Sequence, residues 1–155
     1  MIWTEINFGK HKGKTLPQIL FKDPDWFFWS KDDNIWKDKD SSLQEQFHFI
    51  YERAKKIAIP DNENGDLIVE YNLFNGSIYG FDIVKKDAPR HSGSTRTFRE
   101  PLLNLKIPKN QKRYDKQGYK HFMSDFKSKI LKNSKIRFTK KICESFFENE
   151  SNFKV

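Results

Sequence analysis

Lysine and arginine residues are concentrated between Lys85 and Lys141. This window holds eighteen of them against four acidic residues, a net charge of +14, whereas the whole chain of 155 residues carries +8. Guanidinium and ammonium groups bind phosphate, and a field of one sign raises both the association rate and the affinity for a polyanion. Solubility alone requires no such segregation, because interspersed charges of both signs keep a protein equally soluble. The charge pattern predicts a surface that faces nucleic acid.

The segment from Lys85 to Arg99 is predicted to be an exposed loop that combines the usual phosphate donors. Its arginines alternate with serine and threonine hydroxyls, and Gly93 would let backbone amides converge on an anion. Two further basic stretches are the glycine-punctuated turn Gly9–Lys14 and the segment Lys109–Lys116. The predicted nucleic-acid contacts are Lys10, Lys12, Lys14, Lys85, Lys86, Arg90, Arg96, Arg99, Lys112 and Arg113.

Aromatic residues lie among these cations at Tyr79, Phe98, Tyr114 and Tyr119. Exposed rings would stack on unpaired bases and favour single strands over duplex. Packing in the core is the competing interpretation for each ring. Tyr114 is expected to be the most exposed, because charged residues flank it on both sides.

A metal-dependent nuclease requires two or three carboxylates around a divalent cation, usually with a lysine nearby. Asp66, Glu70 and Asp82 lie on a predicted hairpin, and Lys85 follows Asp82 by three residues. However, Asn72 stands two residues after Glu70, where such a site needs a lysine. The pattern favours strand-end or outward-facing acids, and no catalytic residue is predicted.

The four histidines and the single cysteine, Cys143, show no paired spacing typical of a metal site, so neither a metal nor a cofactor is expected. One cysteine permits no internal disulfide and gives no sign of an oxidising compartment. No apolar stretch approaches the roughly 20 residues that span a bilayer. The expected location is the cytoplasm, or the host cytoplasm if the protein is phage-encoded, with no membrane partner.

Helix signals occupy the two ends of the chain. Thr15 is placed to cap a helix through Lys22, and Asp23 to cap one that begins at Pro24. An amphipathic pattern with a capping box at Ser42 predicts a long helix that ends before Pro60. The tail shows a helical stripe from residue 119 to 131 and a final helix capped by Thr139.

Strand signals occupy the middle of the chain. Residues 67–74 and 77–84 flank Asn75-Gly76, a dipeptide that suits a two-residue hairpin turn. Another strand is predicted at Leu102–Ile107. The expected fold is therefore α+β, an antiparallel sheet with a central hairpin and several packed helices. The chain is interpreted as a single domain, residues 1–155, with a sub-boundary in the polar segment near 60–66.

The residues Phe8-Gly9-Lys10-His11-Lys12-Gly13-Lys14, followed by Asp23-Pro24 and by Trp26 and Trp29, form a recognisable pattern. This region, about residues 5–36, resembles the small domain found at the C-terminus of exodeoxyribonuclease X-like proteins. The resemblance implies an accessory part in DNA transactions, with the three lysines contacting phosphate. The catalytic acids of those exonucleases belong to a separate upstream domain, and only seven residues precede the motif in this sequence. No exonuclease activity is expected to carry over.

These observations predict a non-enzymatic nucleic-acid-binding protein, of phage or bacterial type, which acts on DNA in preference to RNA. One alternative is a small regulator or inhibitor that presents its basic face to an acidic surface of another protein, since a cationic patch suits both partners. A metal-dependent nuclease is the third class.

Overall fold

The computed structural model describes residues 2–109 and 114–155. Its five α-helices are α1 (Leu16–Lys22), α2 (Pro24–Asp32), α3 (Ser41–Ala54), α4 (Lys116–Asp125) and α5 (Lys140–Glu148). α4 continues without a break into a π-helical turn, Phe126–Ile130. Short 3₁₀ turns follow α2 at Ile35–Asp38 and α5 at Glu150–Asn152.

Side-chain caps begin the helices largely where the sequence predicts them. Thr15 and Gln18 form a reciprocal capping box on α1, the Asp23 carboxylate accepts the Trp26 N–H on α2, and Thr139 caps α5. The predicted box at Ser42 is wrong. α3 begins earlier, because the carboxylate of Asp40 accepts the Ser42 N–H and takes the capping position itself.

The sheet has three antiparallel strands in the order β2-β1-β3, with β1 at Leu67–Phe74, β2 at Ser77–Lys85 and β3 at Arg96–Glu100. The α+β prediction is thus confirmed. Asn75 and Gly76 form the two-residue turn, both with positive φ, at 51° and 85°. The pairing register shifts after Asn72, which opposes Gly80, while Leu73 opposes Ile78. A β-bulge therefore lies at Tyr79.

The predicted strand at Leu102–Ile107 is wrong. β3 begins six residues earlier, inside the segment predicted as a loop, and pairs with β1. Leu103 makes only an isolated bridge with Ile57, and a series of turns follows it. Phe98 explains the placement, because its ring stacks on that of Tyr71 at 4.7 Å across the two strands.

The two faces of the sheet differ in chemistry. Tyr71 opposes Phe81 on one side and Phe98 on the other, which gives one face an aromatic row. The neighbouring row, on the opposite face because side chains alternate, consists of Glu70 between Asp82 and Arg99. A polar sheet face of this kind must be covered by groups that satisfy its hydrogen bonds.

The hydrophobic core is continuous across the polar segment near 60–66. α1 packs on α5, and Phe21 of α1 contacts the rings of Phe126, Phe138, Phe146 and Phe147. Polar contacts also join distant segments. The pairs are Trp3 with Glu148, Thr15 with Glu144, and the Tyr119 hydroxyl with the Phe21 carbonyl. Within residues 2–109 and 114–155, no helix has both the length and the apolar character needed to cross a membrane.

Candidate nucleic-acid interface

A cavity of about 390 Å³ lies between α1, α4 and the segment that precedes α5. We call it the cationic groove. Its lining combines three lysines, two serines and an apolar floor: Phe21, Lys22, Tyr119, Lys120, Met123, Ser124, Lys127, Ser134 and Phe138. Ammonium groups and hydroxyls are the donors that hold phosphate oxygens.

The α4 side of the groove follows from helical spacing. Lys120, Ser124 and Lys127 recur at intervals of four and three residues, so they lie along one side of α4 and its π-helical continuation. The Lys127 ammonium lies 5.0 Å from the centre of the Phe138 ring, which itself stacks on Phe21 at 4.8 Å. The aromatic floor thereby positions a cation without neutralising it.

The N-terminal motif supplies the opposite wall. Lys22 lies in the last turn of α1, and its charge lowers the pKa of Lys14 below the ordinary value, with a side-chain contact between the two lysines as the next cause. Like charges at this distance repel, and a bound anion would relieve the repulsion. Lys14 thus lies beside Lys22, which faces the lysines of α4 across the groove.

The segment that forms this side of the groove is cationic throughout. Between Lys116 and Lys141 the sequence has nine Lys or Arg and one acid, Asp125, a net charge of +8. Most of these side chains are exposed. The exposed members are Lys116, Lys120, Lys132, Lys135, Arg137, Lys140 and Lys141.

None of the three lysines predicted in the N-terminal motif is part of the groove lining, and only Lys14 lies beside a lining residue, Lys22. Lys12 is exposed, whereas the Lys10 ammonium forms an ion pair with Asp23 at 2.9 Å. The same carboxylate accepts a hydrogen bond from the buried His11 ring. Burial lowers the pKa of His11 despite this contact. The Asp23 carboxylate thus joins the N-terminal motif to the start of α2, and its charge partly neutralises that of Lys10.

The loop cations predicted as contacts have different roles. Lys85, Lys86 and Arg96 are exposed, and Arg90 is exposed while donating to the carbonyl and hydroxyl oxygens of Thr97. Lys112 and Arg113 lie outside the described residues.

Arg99 requires a correction. Its Nε donates to the Glu70 carboxylate at 2.6 Å, with side-chain exposures of 14% and 2%, and its two terminal nitrogens donate to the carbonyls of Lys86 and Ala88. All the nitrogens of this guanidinium donate hydrogen bonds within the protein, so Arg99 stabilises the loop, and we call this arrangement the Arg99 brace. Arg99 is therefore removed from the predicted nucleic-acid contacts. A buried carboxylate needs a cationic partner, and counting charges along the sequence does not show which arginine provides it.

A second cavity, of about 500 Å³, opens over the polar sheet face on the other side of α4. We call it the polar cleft. Strand, helix and loop residues line it: Asn72, Phe74, Tyr79, Asp82, His91, Gly93, Ser94, His121, Asp125 and Lys129. Gly80 lies beneath it, and a Cβ there would come within 2.2 Å of the Asp125 carboxylate, so the helix approaches the strand closely.

Ion pairs engage the charged side chains of the polar cleft. The Lys129 ammonium contacts Asp82 at 2.9 Å and Asp125 at 3.3 Å, and it also donates to the Phe81 carbonyl. Burial alone would raise the pKa of the Asp82 carboxyl, but hydrogen bonds from Asn72 and Lys129 hold it below its ordinary value. The cleft has one lysine between two carboxylates, and a phosphate entering it would meet net negative charge.

The carboxylates considered for a metal-dependent nuclease do not form a metal-binding site. Glu70 is occupied by Arg99 and by the His91 N–H, and Asp82 by Lys129 and Asn72. Across residues 2–109 and 114–155, no group of three His, Cys, Asp or Glu side chains has the geometry to hold a metal ion.

The four aromatic residues that lie among the predicted cations divide into two classes. Phe98 packs on Tyr71, and Tyr119 is buried, so that desolvation raises the pKa of its hydroxyl. Tyr79 and Tyr114 are exposed. Tyr79 stacks on His121 with ring centres 4.1 Å apart.

The chain matches no family model, no curated protein and no solved structure. The resemblance of the N-terminal motif to the exodeoxyribonuclease X-like domain stays a prediction.

Proposed function

We propose that this protein is a non-enzymatic nucleic-acid-binding accessory protein that holds the phosphate backbone in the cationic groove. The observation that carries the proposal is the convergence of Lys22, Lys120 and Lys127 with Ser124 and Ser134 around one concavity. Lys14 adds a further cation beside Lys22. The groove is open, so a polymer can pass along it.

Pairing of charges separates the groove lysines of α4 from several other cations of the chain. Lys120 and Lys127 have no acidic partner within 4 Å among the described residues, whereas Lys10, Arg99, Lys109 and Lys129 each have one. A cation without an acidic neighbour releases more free energy on meeting phosphate, because no existing ion pair must be broken. The exposed lysines from 132 to 141 extend the positive field beyond the groove.

We further propose DNA as the preferred polymer, in agreement with the role that the N-terminal motif implies. Phosphate contacts carry no base information, so binding through the groove alone should be independent of sequence.

A charge-removal experiment tests the proposal. In the double variant Lys120→Gln, Lys127→Gln the affinity for a labelled oligonucleotide should fall by about tenfold or more. The slope of log K against log salt should become shallower by about two, because two phosphate contacts are lost. Fluorescence anisotropy at several salt concentrations, on single-stranded and double-stranded DNA and RNA, measures both quantities.

The matched control is Lys37→Gln, Lys56→Gln, which removes the same charge from two exposed lysines that are not in the groove lining. Its affinity and slope should stay close to those of the unmodified protein. Equal losses in both variants would show that net charge alone drives binding and would remove the groove from the site. Absence of any salt-dependent binding by the unmodified protein would reject the function and favour a protein partner.

A further inference from the structure

We propose that the polar cleft binds one unpaired nucleobase that has an exocyclic amino group, such as adenine or cytosine. This inference rests on the proposed function, because it adds a base site to the phosphate groove. It is argued from the rings, charges and unpaired acceptor of the cleft itself.

The cleft offers aromatic surface at its mouth. Tyr79 is 53% exposed although it stacks on His121, and Phe74 beside it is also exposed. The β-bulge at Tyr79 turns this side chain out of the regular alternation of β2. Stacking of a base on an exposed aromatic ring is worth about 1–3 kcal/mol and requires an unpaired base.

The cleft has a fixed roof. His91, Gly93 and Ser94 come from the loop between β2 and β3, and the Glu70 carboxylate holds that loop by accepting the His91 N–H at 3.1 Å. The Arg99 brace binds the start of the same loop from the other side. The resulting volume of about 500 Å³ lies in the range of small-molecule sites.

The charges of the cleft exclude both an anion and a free cation. Asp82 and Asp125 repel phosphate, and their oxygens are already occupied by Lys129, the Asn72 amide and the Phe81 N–H. A second cation would have to lie beside the Lys129 ammonium, which would repel it. The ligand that fits is neutral and planar.

One acceptor remains unused. Asn72 is only 9% exposed, and its Oδ1 is buried with no hydrogen-bond partner in the structure. Its Nδ2 donates to Asp82 at 3.0 Å, which fixes the amide orientation, since the reverse orientation would place two oxygens together. A buried acceptor without a donor costs about 1–3 kcal/mol, which a ligand N–H would recover.

An exocyclic amino group provides that donor. Adenine and cytosine carry an N–H₂ at the edge of a flat ring. Because Asn72 and Tyr79 both line the cleft, we place one N–H on the Asn72 oxygen and the ring on Tyr79. Thymine and uracil carry a single imide N–H between two carbonyl oxygens, so an N–H placed on Asn72 would bring a carbonyl oxygen toward the Asp82 carboxylate that the same amide contacts, and the two would repel. The cleft should therefore discriminate against them.

α4 connects the two sites. Lys120 and His121 are consecutive, about 100° apart around the helix, so that one contributes to the groove and the other to the cleft. A single strand that crosses α4 can place phosphates on one side and a base on the other.

Free deoxynucleosides test the cleft separately from the groove, because they have no phosphate. Titration of ¹⁵N-labelled protein with deoxyadenosine or deoxycytidine should shift the backbone amides of Tyr79, Gly80 and Gly93. Thymidine should bind at least about fivefold more weakly, the value of one hydrogen bond near 1 kcal/mol. Binding should persist in Tyr79→Phe and be lost in Tyr79→Ala, an exposed site where truncation leaves the fold intact.

Asn72→Ala should remove the discrimination against thymidine while retaining weak stacking on Tyr79. Equal binding of the three nucleosides, or shifts that survive in Tyr79→Ala, would overturn the base site. The same result with salt-dependent oligonucleotide binding intact would leave the proposed function standing. Nucleoside binding without oligonucleotide binding would support the cleft and reject the groove.

Discussion

The cationic groove and the polar cleft lie on opposite sides of the same helix and use lysine in opposite ways. On the groove side, Lys120 and Lys127 have no acidic neighbour among the described residues; on the cleft side, Lys129 bridges Asp82 and Asp125. Only Ser128 separates Lys127 from Lys129 in the sequence. This contrast shows that the ability of a cation to bind a ligand depends on the charges next to it and not only on its position in a basic segment.

The greatest change in stability is expected at Arg99, whose guanidinium holds the start of the loop between β2 and β3. Replacing Arg99 by Gln leaves the Glu70 carboxylate buried without its cation, which should lower the free energy of unfolding by about 3–5 kcal/mol. Replacing Arg96 by Gln, three residues away on the same strand and exposed, should change it by less than about 0.5 kcal/mol. Urea unfolding followed by circular dichroism measures both. Equal costs would mean that Arg99 is not the structural member of the pair.

An intermediate effect separates the neighbouring lysines of the helix. Lys127→Gln should weaken oligonucleotide binding by up to about tenfold, because one phosphate contact is lost. Lys129→Gln should leave the affinity within about twofold, since its charge is committed to Asp82 and Asp125, and should lower stability instead. Affinities are compared at a temperature where circular dichroism shows both variants folded. If Lys129→Gln weakened binding as much as Lys127→Gln, the contrast between the two sites would fail.

The smallest effect is an acid sensitivity confined to the cleft. The folded-state pKa of Asp82 lies below the ordinary value of 3.8, so the stability it contributes is present above that value and is lost as the pH falls through the lower, folded pKa. The difference in unfolding free energy between the unmodified protein and Asp82→Asn should therefore shrink below pH 3.8. For Lys120→Gln, which alters a side chain without a carboxylate partner among the described residues, the corresponding difference should stay constant over the same range. A constant difference for Asp82→Asn would show that its carboxyl is not stabilised in the folded state.

Local sequence signals predicted most helices and the hairpin. Thr15 and Asp23 cap the helices that they were expected to cap, and Asn75-Gly76 forms the expected turn, because each signal acts within about four residues. β3 was missed, since Phe98 is held by a ring on another strand, and no pattern within the Ser- and Gly-rich segment indicates that pairing.

The candidate site was predicted in part. The basic window included Lys120 and Lys127, but the predicted contacts favoured the loop and omitted both residues as well as Lys22. A signal was present: Lys120, Ser124 and Lys127 recur at helical spacing beside an apolar stripe. The cleft could not be predicted, because Lys129 meets Asp82 across 47 positions and the pairing depends on how α4 packs against β2.

The contact between α4 and Phe81 also has a consequence for association. β2 is an outer strand, and its free amide and carbonyl groups could template the addition of a strand from another molecule. At Phe81 a carboxylate accepts the amide and an ammonium donates to the carbonyl, while the bulge at Tyr79 distorts the adjoining backbone. The backbone of Phe81, at the middle of the outer edge of β2, is thus unavailable for pairing with another strand. This removes one route to fibrous aggregation in a chain rich in phenylalanine.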